Sequence, residues 1–137
     1  MGESALHTTL VEAIVQWIGV HTDVPMRMAV LVSSPSTSPL ACPPSIDGCI
    51  PDVYCRCPTA GVVVLGEAKT SKDIETQHSR RQFAVYLRHL ATFERATLVA
   101  AVPWFCVNQT RGLLKRIQQV TDTTHVSIVV LDQLPAG

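Results

Sequence analysis

The chain has 137 residues, of which 47% are hydrophobic and 16% are charged. This length and composition fit one compact domain with a substantial core over residues 1–137. The formal net charge is zero, which excludes a uniformly basic nucleic-acid-binding protein. No apolar run reaches the roughly 20 residues that span a bilayer, and the first residues lack the basic segment of a signal peptide. We therefore expect an intracellular protein that does not enter a membrane.

The charges are unevenly distributed along the chain. Residues 1–68 contain two basic and six acidic residues, whereas residues 69–137 contain nine basic and five acidic ones. A basic half beside clustered acids suits a polyanion held over a metal site. It is equally compatible with a chance property of solvated faces, and charge by itself does not separate the two interpretations.

The first half of the chain predicts one helix and three strands. Apolar residues at helical spacing predict a helix over residues 4–19, and β-branched apolar runs predict strands over 28–33, 50–55 and 61–69. The last of these is typical of a strand buried on both faces. Between the first two strands, residues 34–48 are rich in Ser and Pro and have no periodicity, which predicts a long loop within the domain.

Helices and strands alternate in the second half. The predicted elements are a helix capped at Asp73 or Thr76 and ending near residue 93, a strand over 96–102, a helix over 108–120 capped by Asn108, and a strand over 126–131. The order α-β-β-β-α-β-α-β predicts an α/β (α+β) fold. In it, a mixed β-sheet of about five strands is flanked by helices.

The central strand ends with an acid and an amine. Glu67 and Lys69 are two residues apart, so both side chains point to the same face. Their burial costs several kcal/mol without compensation. Asp52 on the preceding strand adds a second carboxylate, and two adjacent carboxylates stay ionised only with a cation between them. Hard oxygen ligands favour Mg²⁺ or Mn²⁺ over zinc, and Lys69 can stabilise charge that develops beside the ion.

These residues resemble a known signature. Pro51-Asp52, a gap of 14 residues and then Glu67-Ala68-Lys69 are similar to the motif of the PD-(D/E)XK nuclease superfamily. The run from Gln82 to Tyr86 resembles the Q-x-x-x-Y element of its RecB-type members. The strand order also matches the common core of that superfamily, and the resemblance covers residues 4 to about 102. It implies a restriction-endonuclease-like fold.

The resemblance implies specific roles for the motif residues. Asp52 and Glu67 would be metal ligands together with the Ala68 carbonyl, and Lys69 would be the catalytic lysine. Many relatives add an acid from the first helix, for which Glu12 is the candidate. Helical geometry places Glu12 nearly opposite the apolar stripe of that helix, so solvent exposure is the competing interpretation.

The helix after the motif carries further candidates. By the resemblance, Gln82 would contact the substrate backbone or position the lysine, with Tyr86 in support. Five polar residues are close in angle and predict one polar ridge beside the core: Glu75, His78, Gln82, Tyr86 and His89. The candidate substrate contacts on or near this helix are Lys72, His78, Arg80, Arg81, Tyr86 and Arg88. For each basic residue, an ordinary exposed position is the alternative.

The cysteines offer a competing metal site. They are Cys42, Cys49, Cys55, Cys57 and Cys106. The first four lack the closely spaced pairs of most structural zinc sites. Some RecB-type nucleases hold an iron–sulfur cluster through cysteines that follow the Q-x-x-x-Y helix, but only Cys106 does so here. We expect free thiols that act as small apolar residues.

The resemblance implies a Mg²⁺-dependent nuclease that hydrolyses phosphodiester bonds in DNA by attack of a metal-activated water, with endo- or exonucleolytic cleavage left open. The small size favours a homodimer or a larger complex for gripping DNA. Trp104 and Phe105 are candidate contact residues or part of the core. One alternative is a catalytically silent module that binds DNA or a partner protein. Another is a buried structural ion-pair cluster.

Overall fold

The structure is a computed structural model that describes residues 5–21, 30–33, 42–57 and 61–133. Its strands are β1 (Val30–Val32), β2 (Val53–Cys57), β3 (Val62–Ala68), β4 (Arg95–Pro103) and β5 (Ser127–Gln133). They form one mixed sheet in the order β1-β2-β3-β4-β5. The pairs β1–β2 and β2–β3 are antiparallel, and β3–β4 and β4–β5 are parallel.

Three helices cover the two faces of this sheet. They are α1 (Ala5–His21), α2 (Gln77–Leu90) and α3 (Val107–Thr121), and a 3₁₀ turn, Trp104–Cys106, precedes α3. Helix α1 packs on one face, whereas α2 and α3 connect the parallel strands across the other face. The predicted α/β class, element order and five-stranded mixed sheet are confirmed. No helix of the described residues is long and apolar enough to cross a membrane.

Several element boundaries differ from the predictions. Helix α1 continues past Gly19 to His21, since a helix tolerates one exposed glycine at a cost of about 1 kcal/mol. Strand β2 begins only at Val53, because Pro51 has no N–H group to donate to the ladder. Helix α2 ends at Leu90. The predicted helix start, strand start and loop at residues 4, 28–29 and 34–41 lie outside the described part of the chain.

The start of α3 is a second difference. The helix begins at Val107 with Cys106 as its N-cap, and Asn108 is the second helical residue instead of the predicted cap. The chain leaves β4 through the 3₁₀ turn, which already has the tight backbone geometry of a helix start. The helix therefore forms directly behind the turn without a polar capping side chain.

A close approach of α1 to the sheet depends on Gly66. A Cβ atom at this position would lie 2.5 Å from Cγ2 of Ile14 and 3.1 Å from Cβ of Val53. The absence of that atom lets the buried stripe of α1 (Leu10, Val11, Ile14 and Ile18) rest on β3. Gly66 thus sets the distance between the first helix and the strand that carries Glu67.

On the opposite face, α2 and α3 bury a larger apolar cluster. Phe83, Leu87 and Leu90 of α2 are fully buried, as is Leu114 of α3. They pack against side chains of β3 and β4 that point to this face. Thr76 caps α2 by accepting a hydrogen bond from the Ser79 N–H at 3.1 Å. The cap and the buried stripe together fix the rotation of α2, and hence which of its side chains face β3.

We expect Gly66→Ala to destabilise the fold by roughly 1–3 kcal/mol, because the added methyl group overpacks the contact with Ile14. The measurement is the free energy of unfolding in a denaturant titration. Gly112→Ala in α3 is the matched control: its Cβ would meet only the tip of the Arg116 side chain at 3.4 Å. Helix propensity should make this control stabilising by roughly 0.5–1 kcal/mol. A Gly66→Ala protein as stable as the wild type would contradict the proposed constraint.

Candidate active site

The register of β2 and β3 brings the two motif carboxylates together. Val53 pairs with Gly66, so Asp52 and Glu67 face each other where the two strands part. The Ala68 N–H donates to Oδ2 of Asp52 at 2.8 Å, and the Asp52 N–H donates to Oε1 of Glu67 at 3.3 Å. Each carboxylate therefore accepts a hydrogen bond from the backbone of the other strand. This reciprocal pair fixes both acids at the end of the sheet.

Lys69 is held beside Glu67 by three contacts. Its backbone N–H donates to the Ala101 carbonyl at 3.0 Å, which extends the pairing of β3 with β4. Its Nζ lies 3.6 Å from Oε2 of Glu67 and donates a hydrogen bond to Oε1 of Gln82. The lysine and Gln82 side chains are both buried. The amine is thus positioned between an acid from its own strand and an amide from α2.

Tyr86 lies one helical turn after Gln82 and is fully buried. Burial and the negative charge of Glu67 both raise the pKa of its phenol. Its hydroxyl lies close to the Glu67 carboxylate and favours the ionised form of that acid. This burial favours the supporting role for Tyr86 over direct contact with a substrate.

A residue that the sequence analysis did not single out also reaches the site. Nε2 of His7, near the start of α1, lies 3.4 Å from Oδ2 of Asp52. His7 precedes Leu10 and Val11 by three and four residues, so it belongs to the buried stripe of the helix. The sequence feature that could have identified His7 is its place as a polar residue on the apolar stripe of the helix. Its partner became evident only once the packing of α1 over β3 was known.

Glu67 carries an energetic conflict. Burial raises the pKa of its carboxyl, and the adjacent charge of Asp52 raises it further, to about 8. The opposing influences of Lys69, of the Asp52 N–H and of the Tyr86 hydroxyl are too weak to reverse this shift. Without an added cation, Glu67 therefore tends to keep a proton near neutral pH. A divalent cation beside both acids would remove the conflict and release that proton.

The donor set at this site fits a hard divalent cation. Asp52 and Glu67 supply carboxylate oxygens, and the Ala68 carbonyl belongs to the same strand end. Across the described ranges, no three side chains of His, Cys, Asp or Glu form a complete metal-binding group. Mg²⁺ is commonly held by only one or two carboxylates, with water and phosphate as its other ligands. Two acids at a strand end suit that mode of binding, but they do not suit a closed structural zinc site.

Glu12 lies apart from this cluster. It is exposed on α1 and lines a groove of about 440 Å³ between α1 and β1, together with Val32 and Ser33. It makes no hydrogen bond or ion pair to Asp52 or Glu67. The α1 side chain that the structure places beside Asp52 is thus His7, and not Glu12.

The candidate substrate contacts on α2 fall into two groups. Lys72, His78, Arg80 and Arg88 are exposed. The Arg81 guanidinium donates to the Asp47 carbonyl at 3.2 Å and to Sγ of Cys49 at 3.5 Å. Arg81 therefore holds the 46–49 turn against the helix, a structural task that the sequence did not indicate.

The predicted polar ridge along α2 was wrong as a continuous feature. Glu75 precedes the helix and forms an exposed ion pair with Arg116 of α3 at 3.7 Å. At the other end, His89 shares a hydrogen bond of 3.1 Å with the Tyr54 hydroxyl, and burial followed by the charge of Arg56 lowers its pKa. Only the central part of the ridge, Gln82 and Tyr86, faces the acids.

The cysteines lie mainly in the core. Cys49, Cys55 and Cys106 are buried free thiols, and Cys42 is a partly buried one. Burial raises the pKa of Cys55 to about 11 and also raises that of Cys106, which makes both poor nucleophiles at neutral pH. This supports their role as small apolar residues.

Comparison with known proteins adds no relative: no family model, no curated protein and no solved structure matches the chain.

The shifted pKa of Glu67 predicts a pH-dependent stability in metal-free buffer. Between about pH 4.5 and 8, the carboxyl ionises in the unfolded chain but keeps its proton in the folded one, so its contribution to stability falls as pH rises. Relative to Glu67→Gln, the wild type should lose roughly 1 kcal/mol per pH unit within this window. The measurement is the free energy of unfolding from pH 5 to 9 in EDTA.

Glu94→Gln removes an exposed carboxyl and serves as the control for net charge. Its stability difference from the wild type should stay constant across the same pH range. A constant difference for Glu67→Gln as well would show that Glu67 ionises normally in the folded protein.

Proposed function

We propose that the protein is a nuclease with a restriction-endonuclease-like fold, dependent on Mg²⁺ or Mn²⁺, that hydrolyses phosphodiester bonds in DNA. The observation that carries this proposal is the buried Lys69 amine. It is held between Glu67 and Gln82 at the strand end where Asp52 faces Glu67. Two acids, an amine and an amide in this arrangement are the groups that the nuclease motif requires.

The charge balance of Asp52, Glu67 and Lys69 supports the binding of a cation. The Lys69 amine is one positive charge beside two carboxylates, and the raised pKa of Glu67 shows that it does not balance them. Burial of such a cluster does not stabilise the fold unless every charged group in it has hydrogen-bond or ionic partners. A metal ion and a phosphate group supply the opposite charges that the acids and the amine need.

Each residue has a definite task in this mechanism. Asp52 and Glu67 would hold the ion, which when bound activates a water and offsets charge on the phosphate. The Lys69 amine orients the attacking water or stabilises the charge that develops on the phosphoryl oxygens. Gln82 positions that amine through its hydrogen bond, and the buried Tyr86 side chain lies beside the Glu67 carboxylate.

The surroundings of the site suit a polyanionic substrate. Arg80 lines a groove between α2 and α3, whereas the exposed Lys72 follows the strand end of the site closely. Such side chains contact phosphates without reading sequence. A homodimer or a larger complex would extend this limited surface along a DNA substrate.

A catalytically silent module is the second candidate function. Each carboxylate already accepts a backbone hydrogen bond, and Lys69 and His7 lie beside them. This set of partners is what a structural ion-pair cluster would also have. Such a protein would bind DNA or a partner protein without any need for a metal ion.

Cleavage assays separate the two functions. With Mg²⁺ or Mn²⁺, the wild type should cleave at least one member of a panel of supercoiled, linear, single-stranded and branched DNAs, and EDTA should stop the reaction. Asp52→Ala and Lys69→Ala should each lose roughly 10²–10⁴-fold in rate. Lys115→Ala, which removes an exposed lysine on α3, should retain the wild-type rate.

Two results would overturn the metal-dependent mechanism: cleavage that persists in EDTA, or wild-type cleavage by the Asp52 variant. Metal-independent binding of DNA or protein without any cleavage would favour the silent module. Isothermal titration of the folded protein with Mg²⁺ gives an independent reading, because Asp52→Ala and Glu67→Gln should both weaken metal binding.

Substitutions of Gln82 test whether this residue positions the Lys69 amine. Gln82→Ala removes the acceptor of the Lys69 hydrogen bond and should lower kcat by roughly 10–100-fold with little change in KM, since the amine would no longer be held in place. Gln82→Glu keeps an acceptor oxygen and should recover part of the rate. If KM rises instead while kcat is unchanged, Gln82 contacts the substrate and does not position the lysine.

A further inference from the structure

Two large aromatic side chains are exposed directly after β4. Trp104 and Phe105 have 52% and 62% of their surface accessible. Their ring centroids lie 5.7 Å apart at an interplanar angle of 85°. Neighbouring exposed aromatic rings are characteristic of surfaces that contact another molecule.

The aromatic pair lies at the same end of the sheet as the candidate active site. Strands β3 and β4 are parallel, with Ala68 opposite Ala101. The chain therefore reaches Trp104 only a few residues beyond the level of Lys69. Strand spacing and rise per residue give a backbone separation of roughly 8–10 Å between Lys69 and Trp104. That distance corresponds to about two or three stacked nucleotides.

The backbone beneath the two rings is firmly anchored. Pro103 and Cys106, on either side of the pair, are buried. The Thr110 hydroxyl donates to the Cys106 carbonyl at 2.8 Å and is itself buried. The rings are thus presented from a fixed turn, which lowers the conformational entropy lost when a ligand binds them.

We propose that Trp104 and Phe105 form a stacking surface for unpaired bases, so that the substrate is single-stranded DNA or DNA with an unpaired end. This inference rests on the proposed nuclease function. Aromatic side chains stack on base faces, which are covered in an intact duplex and open in a single strand. One or two bases held here would guide the adjoining phosphates towards Lys69.

Charged side chains of both signs lie near the rings. Lys72, shortly after β3, and Arg111, in the second turn of α3, are exposed cations, whereas Asp73 and Asp132 are exposed acids at the same end of the sheet. Aromatic rings combined with cations match the alternating bases and phosphates of a single strand.

Tryptophan fluorescence tests the surface without any need for cleavage. The chain has two tryptophans, Trp17 and Trp104, and Trp17 stacks on His21 within α1 at 4.6 Å between ring centroids. Trp17→Phe leaves Trp104 as the sole reporter. In EDTA, a short oligo-dT should quench its emission, whereas an abasic oligomer of the same length and a blunt duplex should not.

Substitutions then measure the contribution of the rings to binding. Trp104→Ala and Phe105→Ala should each weaken binding of oligo-dT by roughly 5- to 100-fold. Trp104→Phe keeps a stacking ring and should recover most of that loss. Val120→Ala is the matched control, because Val120 is an exposed apolar residue on α3. Circular dichroism identifies any variant that fails to fold, and the quenching comparison does not depend on the alanine variants.

The outcomes distinguish this inference from the proposed function. Equal quenching by the abasic oligomer, or unchanged oligo-dT binding in both alanine variants, would overturn the stacking surface while leaving DNA cleavage intact. Self-association that is lost in Trp104→Ala, without DNA binding, would also overturn it and assign the rings to a protein contact. Base-dependent quenching without cleavage in Mg²⁺ would support the surface and reject the nuclease.

Discussion

The burial of Glu67 beside Asp52 is the constraint on which the rest of the structure depends. A carboxylate in this position is costly, as its raised pKa shows. The neighbouring segments reduce that cost in different ways: Asp52, just before β2, supplies a backbone donor, and Lys69 follows directly after β3. Helix α2 contributes Gln82 to hold the lysine. The sheet end is therefore arranged around one unfavourable charge, which is the condition under which a cation binds well.

The two layers of helices serve this arrangement differently. Helix α2 contributes polar side chains directly, since its rotation is set by Thr76 and by its apolar stripe. Helix α1 contributes His7, because the absence of a side chain at Gly66 lets the helix pack close enough to the sheet for His7 to reach Asp52. Packing on the far side of the sheet thereby influences the electrostatics of the acids. A change in the α1 contact would alter the site without touching any motif residue.

The sequence was sufficient for those parts of the site that depend on local pattern. Strand alternation and pairing predicted that Asp52, Glu67 and Lys69 would lie together, and their hydrogen bonds and ion pair show that they do. Gln82 was assigned a place near the lysine from the family resemblance, and it accepts a hydrogen bond from Lys69. His7 was missed because its role depends on the docking of α1, which no local pattern encodes. Arg81 was assigned to a substrate, although the 46–49 turn accepts its hydrogen bonds. Tertiary contacts decided both cases.

The spacing of the site along the chain has a consequence for folding. Asp52, Glu67, Lys69 and Gln82 all lie within one hairpin and the helix that follows it, and the contacts among them span 13 to 16 residues. Short loops close at low entropic cost. Such a segment can assemble early, before α1 arrives from the distant N-terminal side. A register slip of one residue between β2 and β3 would exchange the two faces and scatter the acids. Correct pairing of β2 with β3 is therefore required to bring the acids together as well as to form the fold.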